Sequence, residues 1–308
     1  MGETFDAGEA PAGGGRFFRT RFDRSRMREA SWVTVVAVAA VAAVAAAMTV
    51  AFQAGQRPFL ELVGPIVEAT GGLVHPTLLV YVPFVAVVIW GLILRFGGLR
   101  PRDVGLVRRN LPLGVAVTVG TWLLVQATGV GALLASGHPV QINEIWAAMG
   151  VLGVIGSFLG QILGNAFFEE VVYRAFLVVQ LEKKFDRWIG GAPRRAFLLA
   201  LVVSQVVFAL IHVPSRLVQG VPPGSLLGAI TVPFLLGVLL ALVYYRTGNL
   251  FVVVGLHALI NQPVLLVDAG AVVLLPLLIV LLGIAVGWPY VEPVVGRRGR
   301  RERGTEVA

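Results

Sequence analysis

Three ionisable side chains interrupt an apolar stretch near the middle of the chain. Glu169 and Glu170 are adjacent, and Arg174 follows in the sequence NAFFEEVVYR. An ionised side chain at the centre of a bilayer costs at least ~2.5 to 3.5 kcal/mol, so such residues usually face a bundle interior or a water-filled cavity and have partners. Glu170 and Arg174 have the i, i+4 spacing of a helical ion pair. Glu169 points about 100° away around the helix, so it needs another partner or a proton.

Two later apolar stretches supply candidate partners for Glu169. FALIH places Phe208 and His212 one helical turn apart, and HALIN does the same for His257 and Asn261. A carboxylate and an imidazole can activate a water, with the carboxylate as general base. A second imidazole and a side-chain amide can donate hydrogen bonds to the oxyanion that forms. These residue types therefore suit hydrolysis of an amide bond.

The same residue types also suit a metal site. Glu169, His212 and His257 are the candidate ligands of a catalytic zinc ion with one open water position. The helical zinc-protease signature HExxH does not occur in the sequence, and neither does a GxSxG nucleophile elbow or a phosphate-binding P-loop. The spacing of these residues is compatible with activation of water by a carboxylate base and with activation by a zinc ion.

Composition places these residues in a multi-pass membrane protein. The 308 residues are 57% hydrophobic and 14% charged, with a mean hydropathy of +0.84. The apolar runs are continuous rather than alternating, which argues against an outer-membrane barrel. The chain has no cysteine, so disulfides and thiolate nucleophiles are excluded. The net charge of +8 does not indicate a nucleic-acid partner, because the basic residues cluster at predicted membrane edges.

Eight apolar stretches are each about long enough to cross the ~30 Å hydrocarbon layer, so we predict an all-α bundle of about eight transmembrane helices. The predicted spans are 31–53, 73–94, 111–135, 145–175, 196–213, 225–245, 250–266 and 270–289. The predicted organisation is a disordered basic tail over 1–30, N-terminal helices over 31–143, a core with the candidate site over 144–266, and a last helix with a basic tail over 267–308.

The basic residues predict the orientation of this bundle. With the N-terminus in the cytosol, 22 of the 25 lysines and arginines fall in cytoplasmic segments, whereas Arg57 and Arg216 fall outside. The positive-inside rule therefore predicts that both termini are cytosolic. The composition is typical of a prokaryotic plasma-membrane protein. The segment Leu181–Arg195 is predicted to be either an amphipathic elbow on anionic lipid headgroups or an ordinary basic loop.

The membrane depths that this orientation predicts for the candidate site residues do not agree with one another. Counting ~1.5 Å per residue from the cytoplasmic helix ends puts His257 about 10 Å deep but Glu169 and His212 beyond about 20 Å. Either the cytoplasmic helix boundaries lie elsewhere or the helices are staggered. We favour the first explanation, with the fourth span ending before Lys183.

EEVVYR, FALIH and HALIN, in this order on successive predicted spans, resemble the EExxxR, FxxxH and HxxxN motifs of the CPBP family. These are the CAAX-protease and bacteriocin-processing intramembrane proteases, also called the Abi family. The resemblance covers about 150–263 and includes an Arg-Thr-Gly-Asn turn before the last motif. It implies an eight-helix intramembrane endopeptidase. The roles it implies are water activation by Glu169 and His212, oxyanion stabilisation by His257 and Asn261, and support of the first acid by Glu170, Arg174 and Phe208.

The resemblance also implies a membrane-associated or lipidated peptide or protein as substrate, because eukaryotic relatives cleave prenylated CAAX proteins. Metal-dependent and glutamate-type mechanisms both remain open. We favour the second, because the motifs supply only one unpaired acid and two histidines, and zinc is the alternative cofactor.

Two other functions compete with proteolysis. A proton-coupled transporter would use intramembrane Glu and His as proton carriers, and it predicts inverted repeats or paired broken helices. A catalytically silent immunity or scaffold protein could share the protease fold. Proteolysis requires that Glu169 share a chamber with His212 or His257.

Overall fold

The computed structural model of the chain describes residues 27–55 and 57–287. Regular structure in this part is helical, apart from one isolated antiparallel bridge between Ile142 and Val267. Seven of the helices found there are long and apolar enough to cross a membrane, so the predicted all-α membrane protein is confirmed. The predicted tail over 1–30 lies outside the described residues except for 27–30, and so does the C-terminal basic tail.

Most of the helices begin and end close to the predicted spans. In chain order they are α1 (Trp32–Gln53), α2 (Arg57–Ala69), α3 (Pro76–Phe96), α4 (Leu111–Ala135), α5 (Ile145–Leu163), α6 (Asn165–Glu169), α7 (Val178–Trp188), α8 (Pro193–Leu210), α9 (Val213–Val218), α10 (Leu226–Thr247), α11 (Leu250–Asn261) and α12 (Gly270–Gly287). No membrane span is predicted from the sequence over the residues of α2. The predicted span over 250–266 is too long, because α11 has only 12 residues. At ~1.5 Å per residue, α11 is about 18 Å long and cannot cross the membrane alone.

The predicted fourth span, 145–175, is broken where the site begins. Gly164 has φ −118° and ψ −101°, between α5 and α6. A Cβ on Gly164 would lie 3.2 Å from the Cβ of Tyr81, so glycine lets the chain turn close to α3. A π-helical segment, Glu170–Leu177, then joins α6 to α7. Segments of this kind are frequent at functional sites, and this one carries Glu170 and Arg174.

The chain stays helical to the end of α7, so no break in the helix marks the expected end of the fourth span before Lys183. Two buried polar side chains of α7 bond to the segment before α1. The Ala30 N–H donates to the Gln180 side chain at 2.7 Å. Lys184 donates to Glu29 at 3.0 Å and to the Ala30 carbonyl at 2.8 Å. The predicted elbow is therefore the end of a continuous helix, a short turn and the start of α8.

Hydrogen bonds between chain segments define two ends of the bundle. At what we call the basic end, the Asn110 side chain donates to the Gly248 carbonyl at 3.3 Å, which joins the start of α4 to the end of α10. At the opposite end, the far end, the Asn143 N–H donates to the Leu266 carbonyl at 2.9 Å, which joins the segment before α5 to the segment after α11. The long helices run alternately between these two ends.

The Arg-Thr-Gly-Asn turn holds α11 in place. The Asn249 side chain accepts from the N–H groups of Phe251 at 3.0 Å and Val252 at 3.4 Å, which caps the first turn of α11. Its amide donates to the Asn110 carbonyl at 2.8 Å. Gly248 has φ +59°, a conformation that favours glycine. The turn therefore fixes the start of α11 against the start of α4.

Close packing also fixes α11 against α4. A Cβ on Gly255 would overlap the Thr118 side chain, and a Cβ on Gly114 would overlap Phe251. The contact therefore requires glycine on both helices.

We predict that Gly255→Ala lowers the free energy of unfolding by about 1–3 kcal/mol, the usual cost of overpacking a core. The measurement is denaturant unfolding of the full chain in detergent. Gly283→Ala is the matched control, because a Cβ at this glycine of α12 would have nothing within 4 Å. Equal stability of the two variants would contradict the close contact between α11 and α4.

Candidate active site

Polar residues from several helices meet in one cavity of about 600 Å³. The polar lining is Thr49, Tyr81, Gln161, Asn165, Glu169, His212, Ser215, Arg216, Gln219, His257 and Asn261. The four candidate catalytic residues therefore line one cavity, as proteolysis requires. They are Glu169, His212, His257 and Asn261.

His257 lies between the two adjacent glutamates. Its Nδ1 is 2.6 Å from Glu170 Oε1, and its Nε2 is 3.6 Å from Glu169 Oε2. An ionised carboxylate only accepts hydrogen bonds, so Nδ1 carries a proton toward Glu170. A separation of 3.6 Å is too long for a hydrogen bond. Nε2 and Glu169 are therefore both available to a third group, such as a water or a peptide carbonyl.

Arg174 neutralises Glu170 beneath the cavity. One guanidinium nitrogen lies 3.2 Å from Glu170 Oε1, and neither side chain has exposed surface. The guanidinium carbon lies 4.0 Å from the centre of the Phe208 ring, within the range of a cation–π contact. The i, i+4 ion pair is therefore present, and Phe208 supports its cationic member.

The resemblance implies that Glu170 supports the first acid, and the structure places the Glu170 carboxylate in contact with His257. Neighbouring residues of a helix diverge by about 100°, so the carboxylates of Glu169 and Glu170 separate. The imidazole of α11 fits between them and contacts both. Glu170 therefore orients the histidine, and Glu169 reaches it from the other side.

His212 has a fixed tautomer. Its Nδ1 lies 2.7 Å from the Phe208 carbonyl oxygen one turn earlier. A carbonyl oxygen can only accept, so Nδ1 is the protonated nitrogen and Nε2 of the neutral ring is free to accept a proton. His212 lies between α8 and α9 at the cavity wall. It can therefore serve as a base or as a hydrogen-bond acceptor for water.

Gln161 lines the candidate site, and only a weak sequence pattern points to it. Its side-chain oxygen accepts from the Asn261 amide at 3.0 Å and from the Asn165 amide at 3.2 Å. Gln161 and Asn165 precede Glu169 by eight and four residues, which is the only pattern that points to them. Gln161 therefore positions Asn261 from a different helix.

The alternative zinc ligands do not form a metal site. Within residues 27–55 and 57–287, no three histidine or carboxylate side chains come together in a group that could hold a metal ion. Glu169, His212 and His257 share the cavity without forming such a group. This arrangement does not fit a catalytic zinc ion.

The segment that carries the site matches a known family. Residues 151–262 match the family model described as Type II CAAX prenyl endopeptidase Rce1-like. The predicted resemblance to CAAX-type intramembrane proteases is confirmed. The matched residues run from α5 to the end of α11 and include every candidate catalytic residue, whereas α1 to α4 and α12 lie outside the match. No curated protein and no solved structure matches the chain.

We predict that Arg174→Met lowers the free energy of unfolding by about 3–5 kcal/mol, because it leaves the buried Glu170 carboxylate without a counter-charge. The double variant Glu170→Gln/Arg174→Met should recover much of this loss, since neither charge remains. Both are measured by unfolding in detergent. Arg95→Met, at an exposed arginine, is the control. A loss for Arg174→Met no larger than for Arg95→Met would contradict the buried ion pair.

Proposed function

We propose that this chain is a CAAX-protease-like intramembrane endopeptidase that hydrolyses a peptide bond of a membrane-associated substrate. The observation that carries the proposal is the 3.6 Å approach of Glu169 to His257 in a cavity that His212 and Asn261 also line. The Rce1-like family match supports the same reaction class. The seven long apolar helices support a multi-pass membrane protein.

Glu169 and His212 activate the attacking water. Arg174 neutralises Glu170 rather than Glu169, so Glu169 is the acid that remains able to take a proton. His212 offers its free Nε2 to the same water. The water oxygen bonds to the carbonyl carbon while its proton passes to the carboxylate. That proton is then delivered to the leaving amine as the C–N bond breaks.

His257 and Asn261 stabilise the oxyanion. Glu170 accepts the Nδ1 proton of His257, so Nε2 is the ring nitrogen that faces the cavity. With a proton on Nε2, the ring donates a hydrogen bond to the oxyanion. The Asn261 amide has two hydrogens and gives only one to Gln161. Removing a donor of this kind typically lowers kcat by about 10²–10³.

The proposed reaction uses no catalytic metal and takes place in a prokaryotic plasma membrane with both termini in the cytosol. A metal-free reaction is favoured because Glu169, His212 and His257 do not form a group that could hold a metal ion. The concentration of lysine and arginine at one end of the bundle supports the orientation. That end would lie against anionic lipid headgroups.

We predict that Glu169→Gln and His212→Ala each lower the cleavage rate by about 10²–10⁴, the usual contribution of general acid–base catalysis. The assay uses the purified full chain in liposomes with a library of lipidated and unlipidated peptides. His138→Ala is the control, because that ring bonds Ser136 in the turn after α4, away from the cavity. Unchanged cleavage by Glu169→Gln would refute the proposed role of this acid.

We also predict that a chelator leaves cleavage unchanged, because the candidate ligands do not form a group that could hold a metal ion. The same liposome assay is run after incubation with excess chelator, and again after zinc is added back. A loss of activity that zinc restores would replace the glutamate mechanism with a metal-dependent one.

A further inference from the structure

Charged residues divide unequally between the two ends of the bundle. Apart from Glu169, Glu170 and Arg174, the basic end holds twelve of the described lysines and arginines with four acids. They lie before α1, between α3 and α4, around the turn between α7 and α8, and at the end of α10. The far end holds only Arg57 and Arg216 with four acids. The positive-inside rule therefore assigns the basic end to the cytosol and the far end to the extracytoplasmic side.

The cavity lies toward the far end. Its lining includes Val50 near the end of α1, Ile211 just after α8, and Leu274 near the start of α12. All three of these helix ends belong to the far end. Gln219 and Asn261, which also line the cavity, are exposed. The cavity therefore opens toward the far end.

The core between the site and the basic end is closed. Tyr173 and Phe176 follow Glu170 along the chain toward that end, Tyr244 lies near the end of α10, and Leu250 begins α11. None of these four side chains has exposed surface. They pack beneath the ion pair of Glu170 in one continuous apolar cluster. In the part of the chain that the structure describes, this packing separates Glu169 from the basic end.

We propose that the cavity receives its peptide from the extracytoplasmic side of the membrane, as a segment of an exported or membrane-anchored polypeptide. A lipidated C-terminus on a cytosolic protein would approach the basic end, where the core is closed. The direction of access follows from charge and packing. Only the statement that the peptide is cleaved rests on the proposed function.

The test uses the natural lack of cysteine in the chain. Gly224→Cys and Gln219→Cys place single thiols at the far end, the second of them in the cavity lining, and Ile189→Cys places one at the basic end. All three positions are exposed, and a Cβ on Gly224 meets nothing within 4 Å. The full chain is expressed in the plasma membrane of bacterial spheroplasts. A membrane-impermeant maleimide is then applied before and after lysis.

We expect Gly224→Cys and Gln219→Cys to react equally before and after lysis, and Ile189→Cys to react only after lysis. The reverse pattern would overturn the assigned orientation. Reaction of Gly224→Cys with none at Gln219→Cys under either condition would overturn the open mouth of the cavity. Ser136→Cys and Trp188→Cys, at exposed positions of the far and basic ends, replace any variant that fails to fold. Labelling needs no catalysis, so a chain without protease activity still gives a decisive result.

Discussion

The ion pair between Glu170 and Arg174 is the interaction on which the site depends. A carboxylate without exposed surface is costly in a low-dielectric core unless it is paired and hydrogen-bonded. Here the same oxygen, Oε1, contacts both the guanidinium and the ring of His257. Since Glu169 is the preceding residue, fixing Glu170 also fixes the position from which Glu169 faces His257. One buried pair thus sets the geometry of an acid and an imidazole on different helices.

Phe208 links this pair to the second histidine. Its ring lies under the guanidinium of Arg174, and its carbonyl oxygen accepts the Nδ1 proton of His212. Gly237 keeps this arrangement compact, because a Cβ there would lie 3.1 Å from the Phe208 ring and 3.2 Å from the guanidinium. Phe208 therefore has two roles. Its ring packs against the guanidinium of Arg174, and its carbonyl selects the His212 tautomer whose Nε2 can accept a proton.

The sequence predicted the local parts of this site well. Pairs spaced by one turn, such as His257 and Asn261, depend only on the periodicity of their own helix. The contact of Glu170 with His257 joins residues 87 positions apart, and periodicity carries no information about which helices pack together. The turn at Gly164 and the π-helical segment after Glu169 are local, but glycine inside a membrane helix is too common to mark a break. Gln161 was visible only as a polar residue on the face that leads to Glu169.

Stagger between helices contributes to the depth mismatch between His257 and Glu169. His257 lies seven residues after the start of α11, whereas Glu169 lies nineteen before the end of α7, and yet the two side chains meet. The start of α11 must therefore lie deeper than the end of α7. Because α11 then stops within the bundle, the chain after Asn261 continues as irregular backbone at that depth.

Such backbone is tolerated inside a membrane protein where protein groups satisfy it or where it lines a cavity. Here the carbonyl of Val264 accepts from the side chains of Trp122 at 3.1 Å and Gln126 at 3.4 Å. Val264 has φ +49°, which is unusual for a β-branched residue, and these two bonds hold its carbonyl in place. Asn261, the last residue of α11, is exposed and lines the polar cavity. The length of this helix therefore places the candidate catalytic residues His257 and Asn261 at the cavity.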